Sequence, residues 1–349
     1  MHGDPLMEVT DAMPEDVVLL KAALDRLRLQ DRCANETLAA VGPLTLNVGN
    51  AGTALRFLTA YCAQLPGCEV VLDGCERMHH RPIEPLVEAL RTLGAKIDYL
   101  GQEGFPPLHI KGQKIHNARC TMHNGVSSQF ASALELIGVP CDAPASPYLT
   151  MTRSLIQDDQ TPDTKYQTPE KDWSSAAFWY EYVAVHGGEI EMQGLSRDSI
   201  QGDRVVADIF EQLGVDTLYT NAGVCVRGTN HQIPNTKHQT PDTQHQTLNI
   251  NFSSCPDLYP AVAMTCKLLG YHLQATGIEN LRYKESDRIA SVEAMLLTPK
   301  GGVVMTEHDH RIAMAAMVAG YKVDDEDCVN KSYPNFKREL CKLLSQGEA

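Results

Sequence analysis

One stretch of this chain occurs twice, and the repetition restricts the fold more than any other feature. Residues Glu69–Leu100 align without a gap on Glu189–Thr220, at a constant offset of 120 residues. Each copy has the pattern of a strand, a glycine turn, a helix that ends at Leu-Gly and a second strand. A looser third copy begins at His272. Repetition of one strand–helix–strand unit predicts an α/β fold built from stacked copies.

Length and composition exclude several classes of protein. The 349 residues are enough for two domains, and 43% hydrophobic with 21% charged residues is ordinary for a globular protein. The net charge of -14 argues against nonspecific nucleic-acid binding, which needs a basic surface. We find no bilayer-length apolar run and no secretory signal, so we expect a cytoplasmic location. The eleven scattered cysteines are interpreted as reduced thiols.

Two basic motifs, KESDR and DHR, lie in the last quarter of the chain. Lys284 and Arg288 are four residues apart, so on a helix they would share a face and repel each other. Arg311 would lie in the first turn of a helix predicted over Arg311–Gly320, where the helix dipole disfavours a cation. Cations in such positions indicate an anionic ligand that the sequence does not contain. The alternative is that they are solvated surface charges.

Arginines and a glycine turn nearer the amino terminus could also bind an anion. The segment GNAGTALR leads into a helix predicted over Thr53–Tyr61, and amides at a helix start can hold phosphate. It lacks the known nucleotide-binding glycine patterns. Arg77 and Arg81 follow the Gly74 turn, and either could be an anion ligand or a salt-bridge partner. Pro82 predicts that a helix begins at Arg81-Pro82.

Hydroxyl-rich segments precede two further helices. VSSQF precedes a helix predicted over Ala131–Ile137, where a serine cap is a routine structural choice. The same two hydroxyls and amide are also suited to phosphate or polyol oxygens. Asp172 is predicted to cap a helix that begins in DWSSA. The histidine pairs at 79–80 and at 308 and 310 lack further ligands at a recognisable spacing, so no metal site is predicted.

Two polar segments interrupt the repeated pattern. Gln157–Lys171 and Thr229–Thr247 share the units TPDT and QTP and are almost free of aliphatic residues. Such segments cannot bury enough surface to order themselves. We interpret them as flexible surface loops or inserted repeats, and a partner-binding arm is the alternative.

In this order, the motifs resemble those of 5-enolpyruvylshikimate-3-phosphate (EPSP) synthases, from Gly49 nearly to the end of the chain. They include GNAGTALR, ERMHHRP, VSSQF, DWSSA, NFSSCPD, ENLRYKESDR, DHRIAMA and the late NKSYP. The resemblance implies the two-domain α/β fold of enolpyruvyl transferases, an inside-out α/β barrel of repeated βαβαββ units. Residues 1–171 would form a substrate-clamping domain on the shikimate 3-phosphate side. Residues 172–349 would form a second α/β domain that carries KESDR and DHR.

The resemblance also implies an activity and a set of site residues. The enolpyruvyl group of phosphoenolpyruvate would pass to the 5-hydroxyl of shikimate 3-phosphate, with release of phosphate, on the route to chorismate and the aromatic amino acids. No metal and no organic cofactor is implied, and we expect a monomer. Phosphoenolpyruvate would be held by Gly52, Arg77, Gln129, Arg288, Arg311 and Lys331. Shikimate 3-phosphate would be held by Ser127, Ser128, Gln129, Asp257, Asn280 and Lys284, with Tyr148 against its ring.

Three carboxylate or amine groups are assigned to the chemistry by the same resemblance. Asp257 would be the base that takes the hydroxyl proton. Glu285 would take part in proton transfer at the methylene carbon. Lys284 is grouped with both as a catalytic residue.

The sequence departs from the family pattern in ways that leave alternatives open. A Ser-Lys-Ser-x-Ser-Asn-Arg-like motif, expected to bind both substrates, does not occur between Met1 and Gly49. We therefore expect the amino-terminal part of the first domain to be missing. Ala145 stands where the family has a serine, and the stretch from Tyr148 to Asp172 is short. The alternatives are a family member that only binds phosphorylated ligand, and a transferase with another acceptor such as UDP-N-acetylglucosamine.

Overall fold

A computed structural model divides the chain into two compact units. Unit 1 comprises Met1–Thr161 and Lys331–Pro334, and unit 2 comprises Pro162–Asn330 and Asn335–Ala349. Most of both polar segments predicted as loops, residues 159–169 and 230–245, lies outside the described residues. The structure describes residues 13–34, 42–116, 118–123, 127–158, 170–229 and 246–346.

Unit 1 combines a mixed four-stranded sheet with helices. The strand order is β1-β2-β4-β3, with β1 parallel to β2 and β4 antiparallel to both of its neighbours. A separate parallel pair joins β5 and β6. The elements are α1 (Glu15–Ala34), β1 (Leu44–Asn47), α2 (Gly52–Gln64), β2 (Glu69–Asp73), α3 (Glu84–Thr92), β3 (Lys96–Tyr99), β4 (Leu108–Lys111), β5 (Cys120–Thr121), α4 (Ser128–Leu136), β6 (Cys141–Asp142) and α5 (Pro147–Asp158).

The core of unit 1 follows from apolar periodicity. In β2, Val70 and Leu72 are fully buried, while the residues that alternate with them are half-buried. This is the alternation expected of a strand. In α3, Leu86, Val87 and Leu90 form a stripe at helical spacing, and all three are fully buried. These two faces belong to one hydrophobic cluster. The buried faces of β2 and α3 therefore form part of the packed centre of the unit.

Unit 2 repeats the same types of element. Its three-stranded sheet has the order β7-β9-β8 and is antiparallel, and two parallel pairs join β10 to β11 and β12 to β13. The elements are α6 (Trp173–His186), β7 (Glu189–Gln193), α7 (Val206–Glu211), β8 (Val215–Tyr219), β9 (Gly223–Gly228), β10 (Thr247–Asn251), α8 (Tyr259–Leu269), β11 (His272–Thr276), α9 (Arg288–Leu297), β12 (Val303–Val304), α10 (His310–Val318), β13 (Lys322–Val323) and α11 (Phe336–Gln346).

The structure confirms the internal duplication. The first copy gives β2, α3 and β3, the second gives β7, α7 and β8, and in each sheet the following strand lies between the two. The helices of both copies are followed by a glycine with positive φ, +97° at Gly94 and +83° at Gly214. Side chains other than glycine rarely adopt this conformation, so Leu-Gly ends the helix in both copies.

Most predicted helix positions are confirmed, but one helix start was wrong. Helices cover the predicted ranges after GNAGTALR, VSSQF and DHR, with ends shifted by one to three residues. No helix begins at Arg81-Pro82. Arg81 is extended, with φ −99° and ψ 114°, because the residue before a proline is disfavoured in the helical region. A short 3-10 helix, Glu76–His80, precedes it, and α3 begins only at Glu84.

Helix α6 is the central helix of unit 2. Asp172 caps it by accepting hydrogen bonds from the backbone N–H groups of Ser174 and Ser175, as predicted. Every residue from Ala176 to Ala184 is buried, so the helix is enclosed on all sides. It nevertheless cannot span a membrane: no helix in the described part of the chain is both long and apolar enough for that.

Glu181 is an exception in this apolar helix. Its side chain is fully buried, and neither carboxylate oxygen has a hydrogen-bond partner among the described residues. Burial raises the pKa of Glu181 well above its ordinary value, so the carboxyl is neutral in the folded protein. An unsatisfied buried polar group costs about 1–3 kcal/mol.

We predict that Glu181→Leu stabilises the protein, by about 1–3 kcal/mol at acidic pH and by more as pH rises. The folded state keeps a proton that the unfolded state loses above pH 4.5, the ordinary value for this carboxyl. Wild-type stability should therefore fall with pH by up to about 1.4 kcal/mol per unit relative to the variant. Urea unfolding measured from about pH 5 to about pH 8 tests this. The control is Glu211→Gln, a substitution of an exposed residue at the end of α7. The prediction is contradicted if the difference in free energy of unfolding between wild type and Glu181→Leu does not change with pH.

Candidate functional site

A buried polar cluster in the described part of unit 2 is built around Arg288. Its side chain is 1% exposed, and α9 begins at this residue, after an N-cap at Asp287. The guanidinium donates to Asp309 through Nε at 2.8 Å and Nη2 at 3.1 Å. It also donates through Nη2 to Glu285 Oε2 and through Nη1 to Asp257 Oδ1, each at 2.7 Å. The neighbouring carboxylates raise the pKa of Arg288 despite its burial, so the charge is permanent.

Asp257 is the acceptor shared by three cations. It lies in a short 3-10 helix, Pro256–Leu258, that leads into α8. Its Oδ1 is 3.3 Å from Lys284 Nζ, and its Oδ2 is 3.2 Å from Arg311 Nη2. Burial alone would raise the pKa of Asp257, but the three cations outweigh it and hold the pKa well below its ordinary value. The carboxylate is therefore ionised at neutral pH.

Asp309 is the buried residue that joins two elements of the cluster. It has no exposed surface, and besides holding Arg288 it accepts from Ser286 Oγ at 3.1 Å. It also caps α10 by accepting from the backbone N–H of Arg311 at 3.0 Å. Burial works to raise the pKa of Asp309, and the charge of Arg288 overcomes it, so that the pKa is lowered. One carboxylate thus fixes the start of α10 and the orientation of Arg288.

The structure corrects two interpretations of the basic motifs. Lys284 and Arg288 do not share a helix face, because Lys284 is an extended residue before α9 begins. The cations also do not lack counterions in the chain: Asp257, Glu285 and Asp309 lie against them. With Lys284, Arg288 and Arg311 these make three acids and three bases, a formally neutral cluster. What remains available is Arg311 Nη1, which is buried and has no hydrogen-bond partner among the described residues.

Unit 1 contains a second cationic cluster, at the start of α2. A Cβ atom added at Gly52 would lie 2.5 Å from Arg81 Nη2 and 2.7 Å from Arg56 Nη1. Both arginines are buried, 4% and 7% exposed. Arg81 Nη1 donates to the backbone oxygen of Asn50 at 3.2 Å. Glycine at position 52 is therefore what lets two guanidinium groups approach the amino end of this helix.

Gln129 connects that cluster to the predicted VSSQF segment. Its Oε1 accepts from Arg56 Nη1 at 2.8 Å, and its Nε2 donates to Thr53 Oγ1 at 2.9 Å. Ser127 caps α4 by accepting from the backbone N–H of Gln129 at 3.4 Å, and Ser128 is the first residue of that helix. The structure thus brings the predicted residues Gly52 and Gln129 together. The other two predicted residues, Ser127 and Ser128, directly precede Gln129 in the sequence.

The other predicted site residues occupy separate positions. Arg77 lies half-buried in the 3-10 helix Glu76–His80, and Asn280 is exposed in the 3-10 helix Glu279–Tyr283. Tyr148 is half-buried in the first turn of α5, and its backbone oxygen accepts from Thr152 Oγ1. Lys331 is 2.9 Å from Asp16 of α1. Their assignment to the substrates stays a prediction.

Several residues of both clusters were not assigned from the sequence. Arg56 lies in the motif GNAGTALR and Asp309 in the motif DHRIAMA. Their position beside predicted site residues could have indicated that they belong to the site. Arg81, like Arg77, was left open as an anion ligand or a salt-bridge partner, and the family resemblance assigned only Arg77 to the site. Asp203 is 3% exposed and is bonded to Ser174 Oγ. It aligns with Ile83 of the first repeat, and a carboxylate at a position that is apolar in the other copy is the signal that could have revealed it.

The family comparison decides what these clusters belong to. A family model described as EPSP synthase (3-phosphoshikimate 1-carboxyvinyltransferase) matches residues 10–143, 150–298 and 294–340. The chain belongs to the EPSP synthase family. The two clusters described above are therefore arrangements within an EPSP synthase family chain, and the resemblance seen in the motifs is confirmed.

Individual relatives agree with this assignment. A 3-phosphoshikimate 1-carboxyvinyltransferase of Bacteroides fragilis is 34% identical, over 86% of this chain and 83% of the relative. One of Methanoculleus marisnigri is 32% identical, over 87% and 80%. A solved EPSP synthase structure from Acinetobacter baumannii has a TM-score of 0.60 at 22% identity and covers 86% of this chain and 78% of that one. The predicted α/β fold of the enolpyruvyl transferase type is confirmed.

We predict that Asp309→Asn lowers the free energy of unfolding by about 3–5 kcal/mol at neutral pH, since it removes one partner of a buried ion pair. The pKa of Asp309 is lowered in the folded protein, so its contribution is present above the ordinary value of 3.8 and is lost as pH falls through the folded value. The difference in free energy of unfolding between wild type and Asp309→Asn should therefore decrease only at acidic pH. Urea unfolding measures both effects. Asp287→Asn keeps an equivalent cap on α9 and is the control; equal losses in the two variants contradict the prediction.

Proposed function

We propose that this chain transfers the enolpyruvyl group of phosphoenolpyruvate to the 5-hydroxyl of shikimate 3-phosphate and releases phosphate. The single observation that carries the proposal is the Asp257 carboxylate between Lys284, Arg288 and Arg311, in a chain of the EPSP synthase family. Such an arrangement provides a base and the cations needed by anionic substrates in one place.

The cations explain how Asp257 can change from a counterion into a base. Without substrate, their charges hold its pKa far too low for efficient proton abstraction. The phosphate and carboxylate groups of phosphoenolpyruvate compete for the same guanidinium and ammonium donors. When the substrate takes over part of that charge, the pKa of Asp257 rises toward its ordinary value. The carboxylate then accepts the hydroxyl proton as the oxygen bonds to the enolpyruvyl carbon.

Glu285 is placed for the second proton transfer. Its side chain is buried, 8% exposed, and it is 2.7 Å from Arg288 Nη2. In the proposed reaction a proton is added to the methylene carbon, and a proton is removed again when phosphate leaves. A carboxyl held by the guanidinium that also binds the substrate is oriented toward the reacting group by the same contact. We assign Glu285 to this exchange.

In unit 1, the arginines at Gly52 supply a further anion site. Arg56 and Arg81 approach the amino end of α2, where backbone N–H groups also favour negative charge. We assign Gly52 and Gln129 to phosphoenolpyruvate, and Ser127 and Ser128 to shikimate 3-phosphate. The roles of residues 1–171 and 172–349 as two clamping domains, the monomeric state and the cytoplasmic location stay predictions.

We predict that the wild-type chain releases phosphate from phosphoenolpyruvate only when shikimate 3-phosphate is present, and that Asp257→Asn lowers kcat by about 10²–10⁴-fold. The asparagine keeps the shape but cannot take the proton. A continuous phosphate-release assay measures turnover, and calorimetry shows whether each protein still binds shikimate 3-phosphate. Binding without turnover by the wild type favours the ligand-binding alternative. Turnover with UDP-N-acetylglucosamine instead favours the other acceptor.

We predict that Gly52→Ala weakens phosphoenolpyruvate binding by roughly 10–100-fold and leaves the fold intact, because the methyl group displaces the ends of two flexible arginines. The dissociation constant from calorimetry tests the first part, and thermal unfolding tests the second. Gly42→Ala is the matched control, since no described residue lies within 4 Å of a Cβ atom there. Equal affinities for all three proteins would count against the assignment of Gly52.

A further inference from the structure

Asp203 is a buried carboxyl that the proposed chemistry does not use. It lies in a short 3-10 helix, Gly202–Val205, immediately before α7, and is 3% exposed. Its Oδ2 is bonded to Ser174 Oγ in the first turn of α6. Its Oδ1 is also buried and has no hydrogen-bond partner among the described residues. An ionised carboxyl in this state is costly, and protonation lowers that cost.

The duplication gives an independent reason to assign Asp203 a function. The equivalent residue of the first copy is Ile83, which is 1% exposed. The position is therefore a core position in both copies, occupied by an aliphatic side chain in one and by a carboxyl in the other. Packing alone is satisfied by the isoleucine, so packing does not explain the aspartate.

Asp203 belongs to the electrostatic surroundings of the substrate cluster. Arg311 interacts with three acids, Asp257, Asp172 and Asp203, but its close ion pair is to Asp257. Arg311 Nη1 and Asp203 Oδ1 are both buried and both without a hydrogen-bond partner in the described residues. Arg311 thus pairs closely with one acid and is influenced by two more, and ionisation of Asp203 would reduce its attraction for a substrate anion.

The charge count indicates which form of Asp203 suits the substrate. The cluster of Asp257, Glu285, Asp309, Lys284, Arg288 and Arg311 is formally neutral without Asp203. An ionised Asp203 would make it negative, opposing a polyanionic ligand in a poorly solvated place. We propose that Asp203 is a positioning residue that makes Arg311 available to phosphoenolpyruvate only while its own carboxyl carries a proton.

The surrounding groups support this assignment. Burial and the charge of Asp257 raise the pKa of Asp203 to about 7, whereas Ser174 and Arg311 act in the opposite direction. Asp172, the cap of α6, also raises it. Burial raises the pKa of the Cys255 thiol to about 12, and the charge of Asp203 acts in the same direction.

Two further acids lie on the helices next to Asp203, Asp208 on α7 and Glu181 on α6. In the adjoining α7, Asp208 pairs with Arg204 at 3.4 Å. On α6, Glu181 is neutral through burial alone. Asp257 of the substrate cluster is therefore the charge that acts most strongly on Asp203.

A defined pH dependence follows. A bound anion at Arg311 raises the pKa of Asp203 further, so that binding above pH 7 takes up a proton. The affinity for phosphoenolpyruvate is then highest below about pH 7. It decreases as pH rises, by up to about tenfold per pH unit when one proton is taken up. This inference depends on the proposed function only in naming phosphoenolpyruvate as the anion.

The test compares wild type, Asp203→Asn and Asp203→Ala by calorimetry with phosphoenolpyruvate, in buffers of different ionisation enthalpy, from about pH 6 to about pH 8.5. We expect wild type to take up close to one proton at the upper end and to lose affinity there. Asn mimics the neutral carboxyl, so this variant should keep the low-pH affinity throughout, with less proton uptake. Phosphoenolpyruvate itself also titrates, but this contribution is the same for wild type and for both variants. Asp203→Ala also removes the charge, so its affinity should likewise not fall as pH rises.

Asp208→Asn is the matched control, a nearby exposed acid whose pH profile should equal that of wild type. Infrared spectra of the ligand-free protein should show a carboxyl absorption, absent from Asp203→Asn, that titrates near pH 7. Equal proton uptake by wild type and Asp203→Asn overturns the proposal, as does an Asp203 already ionised at pH 6. If phosphoenolpyruvate binds none of the proteins, the proposed function fails, and the infrared titration still decides whether Asp203 holds a proton.

Discussion

The ion pair between Arg288 and Asp309 is the interaction on which the rest of the unit 2 cluster depends. Both side chains are withdrawn from water, 1% and 0% exposed, so each would be strongly destabilising without the other. The two bonds from one carboxylate fix the plane of the guanidinium. That plane then determines where Nη1 and Nη2 meet Asp257 and Glu285. A structural ion pair thus orients the groups assigned to the chemistry.

Local sequence patterns predicted the scaffold well, because its determinants are close together along the chain. The repeated strand–helix–strand unit, the Leu-Gly helix ends and the caps at Ser127 and Asp172 depend on neighbouring residues and appear as expected. The start of α3 was misplaced because two signals conflicted. Pro82 favours a helix start, yet it also makes Arg81 extended, and the second effect prevailed.

The sites were less predictable because their contacts join distant positions. Asp257 is 31 residues from Arg288, and Arg56 is 73 residues from Gln129. Lys284 and Arg288 looked like cations without counterions because the acids that pair with them lie elsewhere in the sequence or beside them in a non-helical turn. The family motifs located the right segments, but only the folded chain shows that Arg81 and Arg56 converge on Gly52.

The two copies of the duplicated unit show how a site can be added to a fold without changing its scaffold. Both copies need a buried side chain between the first strand and the helix, and Ile83 meets that need by packing alone. In the second copy a carboxyl occupies the same place, and Ser174 satisfies one of its oxygens. The backbone order is retained because strand pairing and the glycine helix ends specify it independently of this residue. The second copy therefore carries an ionisable carboxyl at a core position that packing alone fills in the first, so one position can differ in chemistry while the strands and helix around it keep the same order.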